Sequence, residues 1–391
     1  MKLKRTGMDS DMPFLSEGII INILKRLPVK SLSRFKCVCK RWKDVIKTPS
    51  FIADHLQHSS QQKPSLLMEW YADHGLRLLD CGMQIREVQN APLIDSLEDA
   101  SIVGSCNGLL CVEIDEDDGS IPPLLLWNPA TTAVRHVPRN RNDFIDYHDW
   151  VEGFGFSPIV NDYKIVRTYA EFDDGFDDEL KGVEAVEVFS LSRGSWEGID
   201  IGNLKGVNLH SDTVTANGAM FWFGSKLGSK DEGEDDVEMI VSFDIAKEVF
   251  TLIPRPDLDY NADGMLTVYE NKLAILCGLS EDDDEPSYLI GLWVLDEGTC
   301  ESEKIWSWNK RYTSSPFSFR LDPLTIWRDE IVCKPCSKED NAKGRNALYL
   351  INLTTNEVKS FVYPDYVSSI SNYAESLVPV GSTLKNLDPR S

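Results

Sequence analysis

Residues 15–52 read LSEGIIINILKRLPVKSLSRFKCVCKRWKDVIKTPSFI. Ile19, Ile20, Ile23, Leu24 and Leu27 fall on one stripe at helical spacing. Pro28 lacks an N–H and ends that helix or opens the next. Leu32, Phe35 and Val38 continue at helical spacing, and Val38, Trp42, Val45 and Ile46 make a third stripe. Pro49 and Phe51 close the unit. The pattern predicts three short amphipathic helices. A unit this small is marginal by itself, because domains below about 40–60 residues bury too little surface. Its apolar face therefore has to be covered by something else, and the cover decides the function.

The run RLPVKSLSRFKCVCKRWKDVI (26–46), followed by TPSFI (48–52), resembles the plant form of the F-box. The resemblance implies binding to a SKP-type adaptor and, through it, to a cullin and a RING subunit of a ubiquitin ligase. Carried over residue by residue, Leu15, Ile19, Ile23, Leu24, Leu27, Pro28, Val29, Leu32 and Phe35 face the adaptor or support that face. Val38, Cys39, Trp42 and Ile46 hold the helices together. One departure is Leu15-Ser16-Glu17-Gly18, where the family usually opens with Leu-Pro and an acidic-Leu pair. Gly18 costs about 1 kcal/mol relative to Ala inside a helix, which predicts a late start for the first helix.

At 391 residues the chain has room for two or three domains. Its 42% apolar and 10% aromatic content is that of a folded chain. No apolar run approaches the ~18 residues of a membrane span, and MKLKRTGMDSDMP (1–13) lacks the apolar core of a secretory signal. Nine Cys without scaffold spacing read as reduced thiols, hence a cytoplasmic or also nuclear protein. The net charge of −23 argues against nucleic-acid binding. The charge is uneven: residues 1–60 carry +7 and the rest −30. A basic helical module is joined to an acidic body, and an acidic adaptor would match the former.

HSSQQKP (58–64) reads as a short polar linker. Beyond it the texture becomes short β-branched and aromatic runs separated by turns. Tight turns precede apolar runs at Asn107-Gly108, Asn161-Asp162, Asn217-Gly218, Asn271-Lys272 and Asp329-Glu330, spaced 54, 56, 54 and 58 residues apart. Asn-Gly before a strand is a strong hairpin signal, since both residues tolerate positive φ. Strand–turn–strand stretches recur at 124–138, 186–199, 241–254 and 348–364, and 289–312 is the same with a longer turn. Four antiparallel strands per ~50 residues in tandem is the pattern of a propeller. Five units are regular. Strands from 64–81 and from YAESLVPV (373–380) together make a sixth, which removes exposed edges. The expected architecture is an α+β multidomain chain: adaptor-binding helices over 11–57, a linker at 58–64, an all-β propeller over 65–380 with six blades (five or seven being the alternatives), and a flexible tail at 381–391.

VGSCNGLLCV (103–112), LWNPATTAVRHVP (126–138), FGFSP with DYKIV (154–166) and SNYAESLVPV (371–380) resemble the plant F-box-associated domain, a kelch-like propeller. There is no Gly-Gly doublet and no Trp-Asp dipeptide. The layout is also similar to the S-locus F-box proteins of pollen. That likeness implies a role in self-incompatibility, with a secreted pistil ribonuclease as target; such ribonucleases are commonly basic.

The excess acid lies in four runs: 115–118, 173–179, 231–236 and 281–285. Without these 19 carboxylates the net charge is only −4. Each run sits between the second and third strands of its unit, so all four emerge on one face of a disc, together with the long connections 139–150 and 314–322. Functional residues concentrate on such loops. The candidate target-binding residues are Asp117, Asp118, Phe144, Tyr147, Asp173, Asp177, Asp235, Asp236, Asp283, Asp284 and Phe317, with the carboxylates steering a basic partner and the aromatics supplying anchors. The bland alternative is that acidic loops only aid solubility.

No motif in the chain carries catalytic chemistry. Cys333-x-x-Cys336 is half a zinc site, and Cys37-x-Cys39 reads as packed small residues. No G-x-S-x-G elbow, calcium loop or phosphate loop is present. The sequence therefore predicts no catalytic residue, no metal and no cofactor. It reads as a non-catalytic substrate-recognition subunit of an SCF-type ubiquitin ligase, with neither nucleic acid nor membrane as partner. The alternative from another class is a propeller that senses a small ligand or sugar in its central channel.

Overall fold

A computed structural model describes residues 15–62, 64–70, 75–88, 100–114, 121–140, 149–172, 180–226, 228, 236–258, 264–280, 287–300, 303–336, 347–363 and 367–381. Four helices come first: α1 (Glu17–Leu24), α2 (Val29–Phe35), α3 (Lys40–Lys47) and α4 (Pro49–Gln62). Gly18 lies inside α1, so that helix does not start late. Pro28 takes the N-cap position of α2, with φ −57° and ψ 148°, and so opens a helix instead of ending one. Pro49 likewise begins a fourth helix, where the sequence reading closed the unit. The Thr48 hydroxyl accepts the Phe51 N–H at 3.3 Å in its first turn. The expected linker at 58–64 is mostly the end of α4, which runs nearly to the first strand.

Among the described residues, twenty-four strands follow in six four-stranded antiparallel sheets. Blade 2 is β4 (Ala100–Cys106) to β7 (Ala133–His136), and blade 3 is β8 (Asp149–Ser157) to β11 (Ser195–Ile199). Blade 4 is β12 (Val207–Ala216) to β15 (Val249–Pro254), blade 5 is β16 (Gly264–Tyr269) to β19 (Glu303–Thr313), and blade 6 is β20 (Leu321–Trp327) to β23 (Val358–Val362). Blade 1 mixes the two ends of the body in the order β24 (Val367–Tyr373), β1 (Ser65–Trp70), β2 (Leu76–Leu79), β3 (Ile85–Glu87). The innermost strands β24, β4, β8, β12, β16 and β20 touch in a ring. The closing strand is therefore 367–373, not 373–380 as the sequence reading placed it.

Each seam between neighbouring blades holds its own apolar cluster. Along β5 (Leu109–Ile114), Leu110 and Val112 enter the seam with blade 1, while Leu109 and Cys111 enter the seam with blade 3. Side chains alternate across a strand. Strands buried on both faces thus read as unbroken apolar runs, which is why LLCV and LLLW carry no polar alternation. The first turn of each regular blade uses positive φ where the sequence placed Asn: Asn107 (53°), Gly108 (76°), Asn161 (48°), Asn217 (49°) and Asn271 (59°). In blade 6 the strained residue is Arg328 (60°) instead of Asp329. In blade 5 the expected longer turn is longer strands: β18 (Tyr288–Cys300) and β19 stay paired out to Cys300 and Glu303.

The meander gives the disc two faces. Turns between first and second, and third and fourth, strands share one face, here the turn face. Connections between second and third strands, and between blades, share the other, the loop face.

Candidate adaptor-binding surface and the opposite loop face

The helices sit on the turn face over blade 2. Leu24, Val29, Leu32, Ile46 and Phe51 form their core, joined by Leu377, with Ala130 of the blade 2 turn packed alongside. Ile52 and Leu56 of α4 reach the cluster between blades 2 and 3. The His55 Nε2–H donates to the Leu27 carbonyl at 2.9 Å, tying α4 to the α1–α2 corner. Burial lowers the His55 pKa, with the neighbouring Leu27 carbonyl and Glu375 opposing it.

The nine adaptor candidates divide into two sets. Leu15, Ile19 and Ile23 are 55%, 48% and 48% exposed, an unusual arrangement for three large apolar side chains. Pro28 is exposed, and Leu27 and Phe35 are half-buried. Leu24, Val29 and Leu32 are buried, so they support the surface and do not face outward. The stripe read from spacing is thus split, with Ile19 and Ile23 turned out and Leu24 turned in. Among the residues expected to hold the helices together, Ile46 is buried and Trp42 packs on Phe35 at 5.3 Å. Val38 does not fit that role: it is 62% exposed at the α2–α3 corner. Cys37 and Cys39 are exposed instead of packed, and Cys39 caps α3 by accepting the Trp42 N–H at 3.4 Å.

The sequence reading missed the contribution of residues 374–380. After β24 the chain leaves the sheet as an extended strap. Glu375 accepts the Val29 N–H at 3.2 Å. Leu377 enters the helical core, and Val378 and Val380 fill the seam of blades 2 and 3. Asn128 donates to the carbonyls of Ser376 and Val378 at 3.1 and 2.8 Å, and its Oδ1 accepts the Thr131 N–H at 3.2 Å. The Trp-Asn-Pro stretch could have flagged this, since Asn128 is fully buried and a buried amide needs partners.

In chain order, all four acidic runs fall between the second and third strands of their blades, as the spacing predicts. Asp117, Asp118, Phe144, Tyr147, Asp173, Asp177, Asp235, Asp283 and Asp284 lie outside the described residues. Asp236 is exposed and accepts the Gly228 N–H at 3.0 Å. Phe317 is half-buried against Phe319, and its backbone exchanges hydrogen bonds with Tyr288, so part of its ring is already packed.

A buried polar cluster supports this face between blades 2 and 3. Arg167 donates to Glu152 Oε1 at 2.5 Å and to the Pro122 carbonyl at 3.1 Å. The Tyr169 hydroxyl donates to Glu187 at 2.9 Å, and Asn140 donates to the same carboxylate. Burial pushes the Glu152 carboxyl up to about 8, against the pull of Arg167. Burial opposes the Arg167 charge, but Glu152 and Tyr169 outweigh it and hold the guanidinium protonated. Pro122 and Asn140 flank the segments carrying Asp117, Asp118, Phe144 and Tyr147, so the cluster anchors the bases of both.

A cavity of about 440 Å³ opens where the blade 6 turn at Trp327–Glu330 meets Cys81 and Met83 of blade 1. It lies among outer strands, away from the central channel where the ligand-sensing alternative placed its site. Burial drives the Cys333 thiol well up, unlike a metal ligand. Among the described residues no group of three or more His, Cys, Asp or Glu is placed to hold a metal.

A small helical module mounted on a closed six-bladed disc, with apolar side chains left outward on its first helix, is the plan of a propeller-type F-box protein. The chain belongs to the F-box-associated β-propeller family: the family model for the F-box associated beta propeller domain matches residues 78–380, and that for the F-box domain matches residues 10–54. It is 28% identical over 249 residues to a putative F-box protein of Arabidopsis thaliana, covering 63% of this chain and 62% of the relative's length. A second putative F-box protein of that plant is 24% identical over 400 residues, covering 94% and 95%. An F-box/kelch-repeat protein of the same plant is 26% identical over 414 residues, covering 97% of each.

Proposed function

We propose that this chain is the substrate-receptor subunit of an SCF-type ubiquitin ligase, working in the cytoplasm or nucleus. The observation that carries the reading is the outward set Leu15, Ile19 and Ile23 on a module whose Leu24, Val29, Leu32 and Ile46 are buried. A SKP-type adaptor is the partner that covers them. The loop face lies on the opposite side of the disc, so adaptor and target do not compete for surface. The receptor contributes proximity, not bond chemistry.

For the target we propose a basic protein, steered by the acidic runs and held by aromatic anchors. A secreted ribonuclease of the kind the S-locus likeness implies has that chemistry. The test is affinity capture with the proteasome blocked, comparing the intact chain with one whose carboxylates at 281–285 are reversed in charge. Recovery of SKP, cullin and RING subunits by both, with a basic protein lost from the second at low salt, supports the reading. Capture of no ligase subunit by either refutes it. An unchanged target set leaves the acidic runs as solubility devices.

A further inference from the structure

We infer that residues 374–380 are a positioning element for adaptor binding: the strap completes the core of the F-box, so closure of the propeller holds the adaptor surface assembled. This rests on the F-box reading above.

The argument starts from size. Thirty-eight residues of short helices cannot bury a sufficient core alone. In the structure the missing wall is Leu377, 5% exposed among Leu24 (1%), Val29 (0%) and Leu32 (0%). Helix α2 also lacks a capping side chain of its own, because Pro28 holds its N-cap position. Glu375 supplies the acceptor instead, at the Val29 N–H, where a carboxylate also meets the positive end of the helix.

The strap is held at the other end by blade 2. Asn128 takes two of its carbonyls. A Cβ on Gly108 would meet the Ala374 carbonyl oxygen at 2.4 Å, so the strap passes against bare backbone. The strap begins one residue after β24, the strand that closes the ring. Its place is therefore set by ring closure. On α1, Leu24 points into the core that Leu377 completes, while Ile19 and Ile23 point away from it. Losing Leu377 leaves α1 without a fixed seat and scatters the outward surface. Affinity then falls by the fraction of molecules with the surface assembled.

The test uses the full chain with Leu377→Asp, Leu377→Met and Glu375→Gln. Two quantities are measured: affinity for a purified SKP-type adaptor by calorimetry, and amide exchange in α1–α3 beside that in β16–β19. The expectation for Leu377→Asp is an affinity loss on the order of tenfold or more, with faster exchange in α1–α3 and unchanged exchange in β16–β19. Leu377→Met restores both, and Glu375→Gln shows a smaller loss with faster exchange at the Val29 amide. If Leu377→Asp unfolds the whole chain, Leu377→Ala takes its place with the same two readouts. Wild-type affinity together with wild-type exchange in the Leu377 variants overturns the inference. If the unaltered chain binds no adaptor, the F-box reading fails, and the exchange of α1–α3 still decides whether the strap seats the helices.

Discussion

The Asn128 side-chain amide donates to the Val378 carbonyl at 2.8 Å across 250 positions of sequence. Asn128 is fully buried at the end of β6 (Leu124–Asn128), and it also serves Ser376 and the turn amide of Thr131. Replacing it with Ala leaves the two strap carbonyls without this donor, while the Thr131 N–H keeps the Asn128 backbone carbonyl at 3.3 Å. Each buried unsatisfied group costs about 1–3 kcal/mol. Asn128→Ala should lower stability by roughly 2–5 kcal/mol, read as a drop in the denaturant midpoint. A change under about 0.5 kcal/mol, the range of surface substitutions, would mean water takes over those bonds.

Two glycines should respond in opposite ways to Ala. Gly18 lies in the first turn of α1 with nothing within 4 Å of an added Cβ, so Gly18→Ala should stabilise the helix by about 0.5–1 kcal/mol. Gly108 has φ +76° and its added Cβ would strike the Ala374 carbonyl. Gly108→Ala should cost at least about 1–2 kcal/mol. Thermal melts of the two variants check both signs.

Low pH should loosen the helical module first. His55 is 3% exposed; its Nε2–H donates to Leu27, and among the described residues its Nδ1 has no partner. Its folded pKa is lowered from the ordinary 6.5, chiefly by burial. The unfolded state therefore takes the proton first. The contribution of His55 is complete above about pH 6.5 and is lost as pH falls toward the lowered folded value. Exchange rates in α1–α4 should rise below pH 6.5 in the native chain, and His55→Gln, which keeps a donor for Leu27, should flatten that rise.

The outward set on α1 should be separable from folding. Ile19→Asp with Ile23→Asp removes apolar surface that the chain itself does not bury. Adaptor binding should weaken by at least about 100-fold, since central apolar anchors carry about 2 kcal/mol or more each. The melting temperature should hold or rise slightly. Retained binding would move the adaptor contact elsewhere on the module.

Breaking the Arg167–Glu152 pair should disturb the loop face without opening the ring. Arg167→Met leaves Glu152 buried at 6% exposure without its cation and removes the donor to Pro122. Burial already pushes the Glu152 carboxyl up to about 8, so without its cation Glu152 takes up a proton, and the cost is about 1–3 kcal/mol for each hydrogen bond left unmade. Proteolysis within 115–120 should accelerate before that at the turn face, as time-resolved digestion would show.

Local patterns in the chain determined a good deal. Asn-Gly turns, double-sided apolar runs and a ~54-residue beat follow from backbone geometry within a few residues, so six blades, and the place of each acidic run in the strand order, were legible. The helical module was legible for the same reason, and so was the Thr48-Pro49 start of α4, although its signal was read as a stop. Tertiary structure alone decided which half of the stripe faces out, because Ile23 and Leu24 differ only in what packs on them. It also decided that YAESLVPV is a strap to the helices and not a closing strand. The contact of Glu375 with Val29 spans 346 positions, and no local periodicity carries information over that distance. It exists because closing the ring brings the end of the chain to its beginning.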